Sequence, residues 1–525
     1  MKKIIFFITL ILVVVFFGRN LNPFSNSMFT FHDETQPARI QQFVLGLKNL
    51  QIPPRLAPDF SFKLGYPVFN FYAPASYWIT SILSLSGLDT ISALKLSFLL
   101  SILIGFISSF FFFREFFNFY PSLTASILYI SSLYYPLDIF VRGNLGEAWF
   151  LALFPLVLLF VVKTAKKPLQ LTFFFSTIVL SLLFTVHNLL STVSVVLVLG
   201  FTLFLPNKKI NILTIILALL LSSYFFIPLI VENHLTYASY VAKQTKYTDH
   251  FVCANQLWQS PWGYGGSTIG CNDGMSLKIG KFQLFFAALG LYMLFVNFRK
   301  FNKNPLLKTT SYLLLIISIG SLFMSTYLSK PIWDLFSPIL SLFQFPWRFI
   351  AFSLIGLSFL SAYLFNEMRF RFKNLVLVFI VLFVFIIQSK YFTGQVISKE
   401  KFEKNYLSKE YIEQIVAYKI AEYLPKTANY KTWKTHEKKP PKKEIINIHY
   451  FPFWTILIDE KPYIPTKFDE LGRPVVDIKN NSSVQIIYKE TPVEKTGNVM
   501  SMITFVILLY IVKSKKLWNK LISLS

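Results

Sequence analysis

Acidic side chains are scarce in this chain. Its 525 residues hold 26 Asp and Glu against 51 Lys and Arg, a formal charge of +25, and all charged residues together make up only 15% of the sequence. Cysteine occurs twice and histidine six times. Two thiols without a neighbouring pair of histidines make a poor metal site, although His250 lies close enough to Cys253 in sequence to keep that alternative open. The chain has no P-loop, no dinucleotide-binding glycine fingerprint, no HExxH and no serine-hydrolase elbow, which removes the nucleotide-driven, zincin and hydrolase classes. Nor is the positive charge a nucleic-acid footprint, because no basic stripe or binding motif accompanies it and much of it flanks apolar runs. What abounds is apolar: 54% hydrophobic, 18% aromatic, 59 Phe and a mean hydropathy of +0.52. This is the composition of a polytopic membrane protein.

Apolar runs able to cross roughly 30 Å of hydrocarbon, with allowance for tilt, fall in about twelve places. They lie near 4–18, 92–113, 122–140, 147–162, 170–187, 189–205, 211–230, 282–298, 309–328, 347–365, 374–389 and 498–512. Lys2 and Lys3, Arg114, Lys163 with Lys166 and Lys167, Lys208 and Lys209, Arg299 with Lys300 and Lys303, Arg369 with Arg371 and Lys373, and Lys513 with Lys515 and Lys516 then all fall on one side. The positive-inside tendency makes that side cytoplasmic and predicts that both termini are there. No small-x-small cleavage site follows the first run, so it is expected to stay as a helix.

This topology puts "FTFHDETQPARIQQFVLGLKN", beginning at Phe29, in a loop outside the cytoplasm that runs to about residue 91. His32, Asp33 and Glu34 sit side by side there, either simply hydrated or held at the membrane face for chemistry on something that also lives there. Ile40, Phe43, Val44 and Leu47 share one face at helical spacing, which predicts an amphipathic helix lying on the membrane surface. A Pro- and aromatic-rich stretch follows, ending in a helix too short to span. Alternation in "EIINIHYF" and "VQIIYK" predicts a small antiparallel β-domain near the C-terminus.

An acidic residue after the first helix, an amphipathic segment, a Pro-rich turn and the "YAPASYWI" helix together resemble the first outer loop of GT-C glycosyltransferases. More closely, "GYPVFNFYAPASYW", "YISSLYYPLDIFVRGNLGEAWFLALFPL", "FFIPLIVE", "WGYGGS" and "FPWRF" resemble the bacterial membrane family labelled PTPS-related (6-pyruvoyl-tetrahydropterin-synthase-related), akin to YfhO-like proteins. The likeness runs over nearly the whole chain, but the label names no activity, since no pterin-enzyme zinc chemistry is present. "IHYFPFWTILIDEKPYIP" resembles the β-domain of YfhO-like proteins with two departures. Phe453 stands where that pattern has Gly, and Asp459-Glu460 replaces Asp-Gly in the hairpin turn.

The resemblance implies a mainly α GT-C-like membrane fold with about 12 transmembrane helices plus the extracytoplasmic β-domain. Its expected divisions are a transmembrane domain over 1–389, with outer loops at 19–91 and 231–281, a helix and Lys-rich linker over 390–439, the β-domain over 440–497 and a last helix with a basic tail over 498–525. It further implies an inverting transfer of sugar from polyprenyl phosphate to an extracytoplasmic lipid, glycan or protein acceptor. Carried over by position, the outer-loop acid that serves such enzymes as catalytic base, or in some members as a divalent-metal ligand, is Asp33, with Glu34 second. Adjacent residues point apart on most backbones, so at most one is expected to face substrate. His32 and His187 are further candidates for the substrate site.

Arg142 and Glu147, in "VRGNLGEA", occupy an outer loop where few Arg are expected. One reading is a structural pair of Arg142 with Asp138 or Glu147; the other is a phosphate clamp through parallel guanidinium hydrogen bonds. Arg348 either snorkels to the headgroups or binds the donor phosphate. Cys253 and Cys271 share an outer loop, where an oxidising compartment permits a disulfide. "SPWGYGGSTIG" follows no strand and is not a nucleotide loop; an aromatic surface beside a sugar, with Trp258 or Trp262 stacking, is an alternative. The cytoplasmic loops are too short for a nucleotide-sugar domain, which favours a lipid-linked donor. A reading from another class is a non-catalytic transporter or assembly factor for lipid-linked envelope glycans, against which the few charges at membrane depth argue mildly.

Overall fold

Continuous apolar sequence becomes helix here because a backbone in hydrocarbon must satisfy its own hydrogen bonds. The computed structural model describes residues 1–297, 304–435, 444–476 and 482–523. Arg299, Lys300, Lys303 and residues 436–443 of the expected linker lie outside the described residues. Among the described residues six helices are long and apolar enough to cross a membrane, and up to eight spans result if two bent pairs are each counted as one. The bent pairs are Phe119–Ile130 with Tyr134–Arg142, at 43°, and Lys208–Leu221 with Ser223–Leu235, at 64°. Gln170–Phe184, Asn188–Leu203 and Lys281–Val296 are shorter apolar helices at three more of the expected positions. The protein is thus a mainly helical, polytopic membrane protein with small antiparallel sheets.

Two helices form the centre. Within their apolar windows, Leu145–Lys166 is 89% and Pro346–Glu367 is 94% buried, whereas Pro492–Lys513 is only 22% buried. A helix apolar on every side and covered by protein is a core element. Small residues let neighbours approach it: a methyl group at Gly290 would collide with the Leu360 carbonyl, and one at Gly356 with Leu314 and Ser318. In a medium as apolar as the side chains, such close backbone contact is a main source of helix association.

The expected surface helix exists as Gln36–Lys48, but its apolar face does not lie on lipid. Ile40 and Phe43 are fully covered and Val44 nearly so, with Phe43 stacked edge-on against Phe69 and Trp78. The Ala75–Leu85 helix and the Pro-rich turn supply the apolar surface that the sequence pattern assigned to the membrane. The loop is also stitched to distant helices. Arg55 donates to the Tyr224 carbonyl at 2.7 Å and to Asn498 at 2.8 Å, and Asn70 donates to Glu494 at 2.6 Å.

Strand β1 (Ser27–Thr30) pairs antiparallel with β2 (Gln395–Ser398), with Phe29 opposite Val396. Near the C-terminus, β3 (Trp454–Ile458) is the middle of a three-stranded antiparallel sheet between β4 (Lys461–Tyr463) and β5 (Val484–Tyr488). The "VQIIYK" run is a strand, but "EIINIHYF" is not; its ladder pairing is a single bridge, Ile445 to Val475. Ile446 and Ile448 do turn inward with Ile456 and Val476. However, Ile448 N–H closes a tight turn on Ile446 and His449 N–H goes to the Leu64 carbonyl at 2.8 Å. Alternation therefore reported burial correctly, while the backbone donors scatter: His449 N–H docks onto the loop after the first helix, and Ile446 and Tyr450 N–H bond to the Pro474 and Gly472 carbonyls.

Candidate active site

The site forms where the first bent pair, Phe119–Ile130 with Tyr134–Arg142, ends. Leu137–Arg142 is π-helical and is stopped by Gly143 in the left-handed conformation, at φ 63°. Glycine is required there twice over, because a Cβ would also overlap the Phe31 ring. Phe31 can then lay its neighbours along the helix end: His32 N–H donates to the Val141 carbonyl at 3.0 Å and Asp33 N–H to the Arg142 carbonyl at 2.8 Å. Two segments more than a hundred residues apart in sequence are locked together, with Asp33 beside Arg142.

Asn144 then caps the next helix, its side chain accepting from Glu147 N–H at 2.9 Å, which aims Glu147 inward at the first turn. Glu147 is fully buried and is the hub. It accepts from both ends of the Arg142 fork at 2.6 and 2.8 Å, from Arg348 Nε at 3.1 Å and from the Tyr134 hydroxyl at 3.0 Å. Arg142 also pairs with Asp138 and lies over the Trp347 ring at 4.3 Å. His187 Nε2 stands 3.4 Å from Glu147. Because His187 Nδ1 accepts from Leu190 N–H at 3.3 Å, the ring proton of its neutral form sits on Nε2, facing the carboxylate. Two guanidinium groups thus balance two carboxylates in a nearly dry cluster. Of the readings open for Arg142, the structural pair is present, and it engages Asp138 and Glu147 together. Arg348 is different: Nε is held by Glu147 and Nη1 by the Phe343 carbonyl at 3.0 Å, while among the described residues Nη2 has no partner.

Asp33 and Glu34 diverge. Glu34 forms an ion pair with Lys419, and the Asp33 carboxylate, part-exposed, has no hydrogen-bond or ion-pair partner among the described residues. His32 is exposed and its Nε2 meets the Tyr264 carbonyl at 3.0 Å, so the glycine-rich loop lies against the same segment. That loop is tied by a disulfide between Cys253 and Cys271, whose Cα atoms are 5.5 Å apart. His250 bonds to Ser267 at 2.8 Å and packs on the Phe345 ring, and burial holds its pKa below the usual imidazole value. Among the described residues no three His, Cys, Asp or Glu side chains converge as metal ligands. A divalent ion at this site would find Asp33 as its free carboxylate.

Sequence reasoning missed a second buried shell. Arg39 is almost wholly covered, stacks on Tyr72 at 4.2 Å and donates to the Tyr77 hydroxyl at 3.2 Å. Tyr77 in turn donates to Gln36 at 2.7 Å. Arg39 Nε and Gln36 Nε2 remain buried donors without partners. Asp33 acts electrostatically on Tyr72 and Tyr77, and Arg348 on Tyr72, so this shell lies near both. Glu422 lies on its edge, its pKa raised by burial against the opposing pull of Arg39. An arginine one residue before the apolar face of the Gln36–Lys48 helix was the signal in the sequence for this shell.

No protein-family model matches the chain, and no curated protein matches it. Among solved structures, it is similar to the arabinofuranosyltransferase AftD from Mycobacteria at 12% identity, covering 74% of this chain and 26% of that one, with TM-score 0.48. It is similar to the oligosaccharyltransferase of Archaeoglobus fulgidus at 12% identity, covering 78% and 60%, with TM-score 0.44. Similarity to ArnT from Cupriavidus metallidurans, solved with undecaprenyl phosphate, is 14% identity over 70% and 60%, with TM-score 0.37. The chain spans about a quarter of the first of these structures and three fifths of the other two.

Proposed function

We propose that this protein is a GT-C-type inverting glycosyltransferase that moves a sugar from a polyprenyl-phosphate donor to a lipid, glycan or protein acceptor outside the cytoplasm. The observation that carries the reading is the Asp33 carboxylate, free of partners among the described residues yet fixed at its backbone to the Arg142 carbonyl, together with an edge of the Arg348 guanidinium that is also free among them. In this scheme Asp33 takes the proton of the acceptor hydroxyl as its oxygen attacks the anomeric carbon. The bond from that carbon to the phosphate oxygen breaks on the opposite face, and the polyprenyl phosphate leaves with the electron pair. Arg348 Nη2 meets the charge that develops on the departing phosphate. Arg142, Glu147 and His187 position these two groups, and Glu34, held by Lys419, orients the loop. Twelve spans, both termini in the cytoplasm and residues 390–497 outside complete the arrangement.

The test compares lipid-linked sugars and envelope glycans, by mass spectrometry, in a deletion strain, wild type and a strain making Asp33→Asn at equal membrane abundance. Loss of one glycoform with build-up of the same polyprenyl-phosphate sugar in both altered strains is the expected result. Wild-type behaviour of Asp33→Asn beside a deletion phenotype would sink the enzymatic reading and favour a transporter or assembly factor.

A further inference from the structure

A cavity of about 450 Å³ opens where two apolar helices meet the outer loop, at the start of Lys281–Val296 and the end of Lys373–Tyr391. It shares no lining residue with the Asp33 and Arg348 site. Lys278 and Lys281 line it, and Lys278 and Lys390 stand over the same Tyr391 ring at 4.7 and 5.2 Å. Lys281 faces the Trp258 ring at 5.8 Å. None of the three lysines has an acidic partner among the described residues, and no carboxylate lines the cavity. Three ammonium groups with no counter-charge repel one another. Lys281 is also the first residue of its helix, the end where positive charge is least favourable and where anions are held.

A second, independent feature points to a ligand. Gln388 is 3% exposed and lines the cavity, and its side-chain oxygen Oε1 is buried with no hydrogen-bond partner among the described residues. A buried amide oxygen without a partner is costly unless something polar meets it. Beside it, Ile387 and Phe282 present apolar surface in line with the helices. Aromatic rings with one apolar side and one wet side suit the membrane-water boundary. We infer that this cavity holds an anionic phospholipid headgroup, with the three lysines around its phosphate, Gln388 Oε1 accepting from a headgroup hydroxyl and the acyl chain along Ile387. The inference stands apart from the glycosyltransferase reading, since neither Asp33 nor Arg348 contributes to it.

The experiment uses the full chain in neutral detergent and counts retained lipid by native mass spectrometry, titrating phosphatidylglycerol against phosphatidylcholine with identical chains. Wild type is expected to retain phosphatidylglycerol preferentially. Each lysine near an anionic surface is worth about fivefold in partition, so Lys278→Gln, Lys281→Gln and Lys390→Gln together should lower that affinity by roughly a hundredfold. Gln388→Leu, which leaves the charges in place, should lower it by about fivefold, the loss of one neutral hydrogen bond. Equal retention of both lipids by wild type, or an unchanged preference in the triple variant, would overturn the proposal. Displacement of the lipid by inorganic phosphate alone would overturn its lipid part and leave a free-anion site.

Discussion

Glu147→Gln changes one oxygen to nitrogen in the middle of the charged cluster, and its effect can be worked out from the contacts. The carboxylate neutralises two arginines, one through a two-pronged contact at 2.6 and 2.8 Å and one at 3.1 Å. Asp138 alone then faces two buried guanidinium groups, and the new amide turns N–H toward donors that had an acceptor. Removing one partner of a buried ion pair costs about 3–5 kcal/mol. Arg142→Met should cost a similar amount, because it leaves Asp138 without its cation. The double variant removes one charge of each sign and restores balance, so its cost should fall short of the sum by about 1–3 kcal/mol. Unfolding of the full chain in mixed micelles, followed by tryptophan emission, has a local reporter in Trp347, which lies over Arg142. Additive effects of less than about 1 kcal/mol each would mean a solvated, screened cluster and would refute the dry, coupled arrangement.

Three further outcomes follow from particular residues. Glu460 and Asp459 both sit at positive φ, 64° and 50°, in the two-residue turn between β3 and β4; Glu460→Gly should therefore stabilise the C-terminal sheet by about 1 kcal/mol, read as slower proteolysis, and a loss of stability would show that the Glu460 side chain has a role the turn geometry does not reveal. His449 is buried against Ser61 at 2.5 Å, and burial pushes its pKa down to about 3. The unfolded chain binds a proton below the ordinary value of about 6.5 that the folded chain refuses, so docking of this segment weakens as pH falls from about 6.5 toward 3. His449→Asn should flatten that slope in a pH series of limited proteolysis; an identical slope would move the cause elsewhere. Non-reducing alkylation should label neither Cys253 nor Cys271, and Cys271→Ser, which opens an 18-residue separation, should speed cleavage within that loop, in keeping with about 3 kcal/mol of lost chain constraint.

Much of the helical framework was legible because hydrocarbon allows so few solutions for long apolar runs, whose ends the basic clusters mark. Pairing of Arg142 with Asp138 or Glu147 could also be read, since a spacing of four puts Asp138 and Arg142 on one helical edge and Glu147 follows just past the glycine turn. Destination was harder. The face of Gln36–Lys48 was visible as Ile40, Phe43 and Val44, yet periodicity says only that a face is apolar, not whether lipid or Phe69 and Trp78 will cover it. Likewise "EIINIHYF" showed which residues go inward but not where its N–H groups would bond. The arrival of Arg348 at Glu147, 201 residues away, depends on the packing of the two central helices and has no local signature.

The choice between Asp33 and Glu34 was beyond the sequence for a related reason. Their directions are set by two hydrogen bonds to the end of a π-helical turn, and that turn exists only because Gly143 stops it under Phe31. Once that register is fixed, Glu34 reaches Lys419 and Asp33 does not. Arg142 is then held at both ends, its guanidinium by Asp138 and Glu147 and its carbonyl by Asp33. A residue so fully engaged cannot release a hand to bind phosphate without exposing two buried carboxylates. On the proposed reading, the groups that meet a substrate are the free carboxylate of Asp33 and the free edge of Arg348, each anchored through its other contacts to the same neutral hub at Glu147 and Arg142. Charge balance in the cluster is therefore what lets these two groups remain unsatisfied beside it.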